Sequence, residues 1–254
     1  MNPIVLMYHD IFRDSVKESG LSDDSADVYK VSESNFRSQV KAISDYLVNN
    51  NLSKDRVIFT FDDGGVSFLR VVAPILEEYC FTGLFFIITN RIGAEGFLSV
   101  DDIIDLKRRG HIIGSHSHSH PDNISVLQRD QIDEEWQESV SFLNNLLGVN
   151  VEYASIPNGY QSNNVLNSAN QCGLRYLYTS TPTTKRKKMG DMIVIGRYVV
   201  LQGFSSNDVI KVISKPGYRT YLYLRWSVLN LLHHILGTKY ESIKTKILKR
   251  LRKD

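Results

Sequence analysis

The chain is poor in several features that mark whole classes of protein. Only two of its 254 residues are cysteines, Cys80 and Cys172, and they stand far apart beside apolar stretches. They predict two buried, reduced thiols rather than a disulfide framework. The formal net charge of only +2 indicates no nucleic-acid partner. No apolar run approaches the roughly 20 residues of a membrane-spanning helix.

The first residues also lack the pattern of a secretion signal. The apolar run 4–8 is short, and no basic residue precedes it. The sequence as given therefore predicts a cytoplasmic protein, with peripheral attachment to the inner face of a membrane as the alternative.

Strand-like and helix-like segments alternate along most of the chain. Apolar, β-branched runs predict strands over 4–8, 56–61, 82–89, 112–115, 151–156, 175–179 and 193–200. Amphipathic patterns predict helices over 34–48, 67–79, 99–110, 125–147 and 165–171. The spacing of Ser99 and Asp102 resembles a capping box at the start of the third helix, and Ser125 and Gln128 are predicted to form the cap of the fourth. Residues 13–35 are predicted to form a polar loop or lid. This alternation indicates an α/β fold, a distorted (β/α) barrel of about seven parallel strands, over residues 1–215.

The C-terminal segment 216–254 has a different character. From residue 217 onward it holds nine basic and two acidic residues, interleaved at first with aromatic and aliphatic side chains. The pattern predicts a basic amphipathic helical tail. Two interpretations stay open: helices packed on the barrel with a solvated basic face, or binding to an anionic membrane surface.

Two neighbouring carboxylates, Asp62 and Asp63, follow the predicted strand 56–61. Active sites of (β/α) barrels lie at the carboxyl ends of the strands. Adjacent side chains on extended backbone diverge, so one carboxylate can bind a metal while the other faces a substrate. A turn that merely ends the strand is the alternative explanation.

Two histidines, His116 and His120, follow the predicted strand 112–115. Their spacing of four would place both rings on one side of a helical turn. With Asp63 they offer two nitrogen ligands and one oxygen ligand, and a further position stays open for water, as in catalytic zinc sites. An incidental histidine-rich loop is the alternative, and His111 and His118 are expected to take no part.

These residues resemble the motifs of the polysaccharide deacetylase family of the NodB-homology type, carbohydrate esterase family four. The segment Thr60-Phe61-Asp62-Asp63-Gly64 is similar to its first motif, and His116-Ser117-His118-Ser119-His120 is similar to its second. The resemblance implies that Asp63, His116 and His120 hold one divalent metal ion. Zinc is the expected ion, with cobalt, nickel, manganese and iron as alternatives. It also implies that Asp62 is the general base.

The same resemblance assigns three further features. Tyr8-His9 looks like the N-terminal element of a branch in which His9 would be the general acid. The segment Ser155-Ile156-Pro157-Asn158-Gly159-Tyr160 resembles the third motif, so Pro157, Asn158, Gly159 and Tyr160 would contact the substrate. Ser155 stands where the family usually has the arginine that orients the base, and Arg197 is the suggested replacement.

The predicted function is removal of an N-acetyl group from an amino sugar in a polysaccharide or a lipid-linked glycan precursor. The expected partner is a carbohydrate that bears N-acetyl groups. No nucleic-acid partner is expected. A metal-dependent amidase on a non-carbohydrate substrate and an inactive sugar-binding barrel are the alternatives.

Overall fold

The protein is described by a computed structural model that covers residues 2–236, with the backbone alone for residues 232–236. A nine-stranded sheet forms the centre of the fold. In the order in which they lie side by side, its strands are β11 (Tyr198–Val199), β1 (Ile4–Tyr8), β4 (Val57–Phe61), β5 (Gly83–Ile87), β6 (Ile112–Ser115), β7 (Tyr153–Ser155), β8 (Tyr176–Thr179), β10 (Met192–Gly196) and β9 (Arg186–Met189). All neighbours in this sheet are parallel except β9 and β10. A second sheet pairs β2 (Ile11–Phe12) with β3 (Val31–Ser32).

One chain segment joins the two sides of the curled sheet. Residues 192–199 contain both β10, which pairs with β8, and β11, which pairs with β1. Arg197 interrupts the two strands, and its N–H donates a hydrogen bond to Thr181 O at 3.0 Å. The segment predicted as one strand over 193–200 is therefore two short strands. Because β1 and β8 share this neighbour, the parallel strands form a curled barrel, which confirms the predicted fold class.

The sheet buries different side chains on its two faces, as alternation along a strand requires. One face of β1, β4 and β5 packs against the helices in the main core through residues such as Leu6, Phe59 and Phe85. The other face contributes a smaller apolar cluster inside the curl: Val5, Leu84, Phe86, Tyr178 and Ile195.

Seven α-helices of the described region surround the sheet: α1 (Glu33–Asn49), α2 (Ala73–Glu78), α3 (Val100–Arg108), α4 (Arg129–Leu147), α5 (Asn163–Gln171), α6 (Ser206–Ser214) and α7 (Pro216–Leu236). The capping box predicted at the start of α3 is present, since Ser99 and Asp102 exchange hydrogen bonds of 2.8 and 3.2 Å. Helix α2 is preceded by a wide helical turn, Phe68–Val72, within the predicted helix 67–79. Sequence patterns missed α6 and the β9–β10 hairpin.

The predicted cap of α4 and the predicted burial of the two cysteines were wrong. Helix α4 begins after Gln128, which forms its cap with Gln131, while Ser125 belongs to a preceding short turn. The Ser125 hydroxyl donates instead to Asn123 Oδ1 at 2.6 Å. Both cysteines are free, as predicted, but Cys80 is exposed and Cys172 is half-buried. Cys80 ends the turn after α2 and has a φ of 53°.

The C-terminal segment is described only in part. Helix α7 forms the first part of the segment 216–254, which was predicted to be helical. Its Tyr218 and Leu222 pack against the main core. No helix in residues 2–236 is both long and apolar enough to cross a bilayer. The division at 215/216 stays a prediction, and the predicted tail beyond residue 236 lies outside the described residues.

Candidate active site

The carboxyl ends of five parallel strands bring polar side chains to one edge of the sheet. His9 follows β1, Asp62 and Asp63 follow β4, and His116 follows β6. Ser155 ends β7, and Arg197 follows β10. Because parallel strands end at a common edge, residues up to 188 positions apart in sequence meet at one site.

Asp63, His116 and His120 form a compact group of metal-binding atoms. Among the described residues, they are the His, Cys, Asp and Glu set whose ligand atoms all lie within 4.8 Å of one another. Asp63 Oδ1 lies 3.4 Å from His116 Nε2 and 3.6 Å from His120 Nε2. Two ligands about 2.1 Å from a tetrahedral ion lie about 3.4 Å apart, so these separations fit one zinc-sized ion.

The loop that carries the two histidines is not helical. Residues 116–120 form no regular element, and Ser117 and His120 have φ of 62° and 58°. The Ser117 hydroxyl accepts a hydrogen bond from His120 N at 3.0 Å and closes the turn. The predicted proximity of the rings is found, with centroids 5.0 Å apart, but a tight loop produces it instead of a helical turn.

The main chain is also unusual at Asp63, which has φ of 86°. Few residues other than glycine adopt such values, and aspartate is among those that tolerate them best. Strained positions of this kind cluster at functional sites. The turn directs the Asp63 carboxylate toward both histidines.

The second ring nitrogen of His116 is fixed by β7. Its Nδ1 lies 3.0 Å from the main-chain oxygen of Ser155 and 2.6 Å from the Ser155 hydroxyl. A bond to the carbonyl requires the proton on Nδ1, so the neutral ring carries its lone pair on Nε2, where it is available to a cation shared with Asp63. Metal-binding histidines are typically held in this way through the nitrogen that does not bind the ion.

Asp62 faces a different partner from Asp63. Arg197 grips it with two parallel hydrogen bonds, Nη1 to Oδ1 at 2.6 Å and Nη2 to Oδ2 at 2.7 Å. The guanidinium is fully buried and also donates to Thr179 O and to the Thr60 hydroxyl. The suggestion that Arg197 replaces the missing arginine is therefore supported by this geometry.

Charge at the site keeps both aspartates ionised. Burial alone would raise the pKa of Asp62, but Arg197 and His116 outweigh burial and hold it below its ordinary value. Burial likewise opposes ionisation of Asp63, and the neighbouring histidines lower its pKa strongly. Burial would also lower the pKa of His116, but Asp62 and Asp63 raise it.

Ser155, which replaces the usual arginine of the third motif, joins the two halves of the site. Its hydroxyl lies 3.2 Å from Asp62 Oδ1 as well as 2.6 Å from His116 Nδ1. Sequence reasoning treated Ser155 only as an absent arginine. The sequence around Ser155 does not predict these hydrogen bonds, because the two partner residues follow β4 and β6, far from Ser155 in sequence.

His9 lies beside the charged groups. Burial lowers its pKa, while the charges of Asp63 and Asp62 act to raise it. Its Nδ1 is buried and has no hydrogen-bond partner among the described residues. The ring packs on Tyr29, with centroids 4.8 Å apart. The imidazole is thus held at the edge of the site with one nitrogen unused.

The four residues predicted to contact a substrate lie at the end of β7. Pro157, Asn158 and Gly159 form a single tight turn, with φ of 54° at Asn158 and 75° at Gly159. Asn158 is exposed and its amide donates to Asp122 O at 3.2 Å. Tyr160 follows and is half-buried. The turn stands on the same edge of the sheet as Asp63, His116 and His120.

Sequence reasoning missed a buried polar cluster beneath the site. Asp10 Oδ1 accepts hydrogen bonds from the hydroxyls of Ser19 at 2.5 Å and Ser67 at 2.8 Å. Lys30, also buried, donates to Ser19 O at 2.8 Å. The cluster ties the predicted loop 13–35 to the turn that follows Asp63. The sequence Tyr8-His9-Asp10 alone does not predict that the Asp10 side chain forms hydrogen bonds with the loop 13–35.

Comparisons with known proteins agree with the geometry. The family model described as "Polysaccharide deacetylase" matches residues 49–177, about half of the chain. A peptidoglycan-N-acetylglucosamine deacetylase of Bacillus cereus is 26% identical over 173 residues, which cover 68% of this chain and 60% of that protein. A further relative, from Bacillus subtilis, is matched over 55% of its length. The chain therefore spans little more than half the length of these curated relatives.

Solved structures share the fold. The deacetylase PplD of Streptococcus pyogenes, in complex with acetate, superposes with a TM-score of 0.67 at 22% identity, over 84% of this chain and 99% of that one. IcaB from Ammonifex degensii gives the same TM-score and identity, over 84% and 97%.

Proposed function

Because the chain belongs to the polysaccharide deacetylase family, we propose that it is a metal-dependent hydrolase that removes N-acetyl groups from amino sugars of a polysaccharide or a lipid-linked glycan precursor. The proposal rests on two neighbouring features. Asp63, His116 and His120 form a possible metal-binding set. A second carboxylate, that of Asp62, is paired with Arg197 instead of belonging to that set. One aspartate is thereby free for proton transfer.

The donor set fits a divalent ion of the zinc type. Two imidazole nitrogens and one carboxylate oxygen are ligands that zinc, and also cobalt, nickel, manganese or iron, accepts. An ion bound there would supply a Lewis acid that polarises the acetyl carbonyl and lowers the pKa of water.

The chain's own residues would then move the protons. Asp62 remains ionised and lies within 4.0 Å of His116 Nε2, so its carboxylate can take the proton of an attacking water. Arg197 fixes the direction of that carboxylate through its two-bond fork. Amide cleavage also needs an acid for the leaving amine.

His9 is the group we assign to that role. Its place at the end of β1, next to β4, and the charges of Asp63 and Asp62 that act on its ring support the assignment. Burial keeps the imidazole neutral at the outset. His9 would therefore have to gain a proton during the reaction before it donates one to the amine.

The sugar class rests on the relatives. A curated relative is described as acting on peptidoglycan N-acetylglucosamine. The turn 157–160 lies at the same edge of the sheet as Asp63, His116 and His120, and its exposed residue, Asn158, is placed to contact part of a polymer.

Metal removal and substrate comparison test the function together. Protein stripped with a chelator should release no amine from N-acetylglucosamine oligomers, and one equivalent of zinc or cobalt should restore release. Simple N-acetyl amides without a sugar serve as matched substrates. Activity that survives full metal removal would contradict the mechanism, and activity confined to the non-sugar amides would favour the amidase alternative. Stoichiometric metal binding without turnover would favour the inactive sugar-binding alternative.

A further inference from the structure

Helix α7 carries a line of large apolar side chains that face away from the protein. Tyr221, Leu224, Val228 and Leu231 are 57, 58, 56 and 60% exposed. Their spacings of three, four and three place them on one side of a helix. Isolated exposed apolar residues are common, but a continuous line of four is typical of an interaction surface. We call these four residues the outer stripe.

The opposite side of α7 fixes the orientation of the outer stripe. Tyr218 and Leu222 pack against the main core. Arg219 donates hydrogen bonds to Val212 O at 2.8 Å and to Ile213 O at 3.0 Å, near the end of α6. The helix is therefore attached through its inner side, and the described part of the protein does not cover the outer stripe.

The charge around the outer stripe has one sign. The α7 sequence contains Arg219 and Arg225 and no acidic residue. The next 18 residues, 237–254, add seven basic and two acidic residues. This C-terminal region is therefore strongly positive in a chain whose formal net charge is only +2.

We propose that the outer stripe and the basic residues that follow it bind the surface of an anionic lipid bilayer. The helix would lie in the interface, with the stripe among the lipid headgroups and upper acyl chains. It would not span the bilayer, because no described helix is long and apolar enough. Each nearby Lys or Arg adds electrostatic attraction to anionic lipid.

An aromatic residue and the charge favour a membrane over a second helix. Tyr221 lies in the outer stripe, and tyrosine rings are enriched where an apolar phase meets water. Helices that pair in coiled coils usually carry charges of both signs beside the apolar seam. The residues beside the outer stripe provide Arg225 and no acid. The proposal does not depend on the chemistry at the active site.

Vesicle sedimentation tests the proposal with the full chain. Vesicles of phosphatidylcholine alone are compared with vesicles that contain about a third phosphatidylglycerol, a composition that supplies the anionic surface. We expect binding to the anionic vesicles only. The double variant L224E/L231E should weaken it about tenfold or more, because two exposed leucines lose apolar burial and become charged.

A control variant separates the stripe from general charge. V48E/V126E places the same two charges at exposed apolar positions on α1 and in the turn before α4, which are 66 and 75% exposed. It should retain more binding than L224E/L231E. Circular dichroism melting should be alike for all three proteins, since the four sites are exposed.

Three outcomes would overturn the proposal. The first is that the unmodified chain does not bind anionic vesicles. The second is that both double variants lose vesicle binding equally. The third is that the unmodified chain is a dimer, that L224E/L231E is a monomer, and that neither protein binds vesicles. Light scattering of the same samples detects the last outcome, which would identify the outer stripe as a contact between two copies of the chain.

Discussion

Asp62 and Asp63 show how two adjacent, identical side chains acquire different roles. Asp62 is fixed by the Arg197 fork, whereas Asp63 leaves the strand with a positive φ and turns toward two histidines. Both carboxylates stay ionised although both are buried. The difference between them comes from their partners, because their burial is nearly equal at 3 and 5% exposed.

The Arg197 fork gives the first prediction. R197K keeps the charge but loses the two parallel bonds, since a lysine cannot form them. We expect turnover on N-acetylglucosamine oligomers to fall about 10- to 100-fold through loss of alignment, while bound metal measured by atomic absorption stays unchanged.

The matched control for that prediction is R175K. Arg175 is an exposed arginine just before β8, paired with Glu152 at 3.5 Å, and its replacement should leave turnover unchanged. If R197K lost metal in proportion to turnover, Arg197 would support the ligand set rather than the orientation of Asp62.

At the scale of elements, the turn after β4 depends on a glycine that touches the buried polar cluster. A Cβ at Gly65 would lie 1.8 Å from Asp10 Oδ1 and 2.6 Å from the Ser19 hydroxyl. The conformation of Gly65 is not one that only glycine adopts, so the constraint is the space that Asp10 and Ser19 occupy. The turn and the loop 13–35 can meet only because this residue has no side chain.

G65A should therefore destabilise the protein. We expect the free energy of unfolding, measured in urea, to fall by about 1–3 kcal/mol, as for other overpacked buried sites. G203A is the control, since no atom lies within 4 Å of a Cβ built there. Equal stability of the two variants would show that Asp10 and Ser19 shift at little cost.

The elements also show what local sequence signals determine. Buried strands and the capping box of α3 follow from patterns within a few residues, and these predictions were confirmed. The start of α4 was misjudged because Ser125 and Gln128 both offer cap-like side chains, and Ser125 prefers Asn123. Short strands such as β9 lie at a sheet edge, where pairing with β10 decides the structure.

At the scale of the whole molecule, the site could be predicted only as far as motifs reached. Two short motifs predict a metal centre, and they contain Asp62, Asp63, His116 and His120. Arg197 lies 135 residues after Asp62 and meets it because β11, which directly follows Arg197, pairs with β1 at the far side of the curled sheet from β10. A contact between residues so far apart in sequence cannot be predicted from the residues that neighbour either one.

Asp10 links the site region to the stability of the whole fold. Burial raises its pKa to about 6, against an ordinary 3.8, although Ser19, Ser67 and Lys30 act to lower it. The folded state therefore holds a proton that the unfolded state has lost between about pH 4 and pH 6. Ionisation of Asp10 makes folding less favourable as the pH rises through that window, and the loss is complete above it.

D10N removes this titration. The unfolding free energy of the unmodified protein, relative to D10N, should fall by about 2–3 kcal/mol between pH 4 and pH 7. D14N, a change of the same charge at an exposed position, is the control and should show no such trend. Parallel pH dependences of D10N and the unmodified protein would contradict the account of Asp10.

We assign Asp63 to binding the metal and Asp62 to proton transfer in the reaction. The most direct test measures bound zinc and amine release in D62N and D63N side by side. We expect D62N to keep about one zinc per chain and to lose turnover by about 100-fold or more, within the range for loss of a general base. D63N should lose zinc and turnover together. Full turnover in D62N, or equal loss of zinc in both variants, would contradict this assignment.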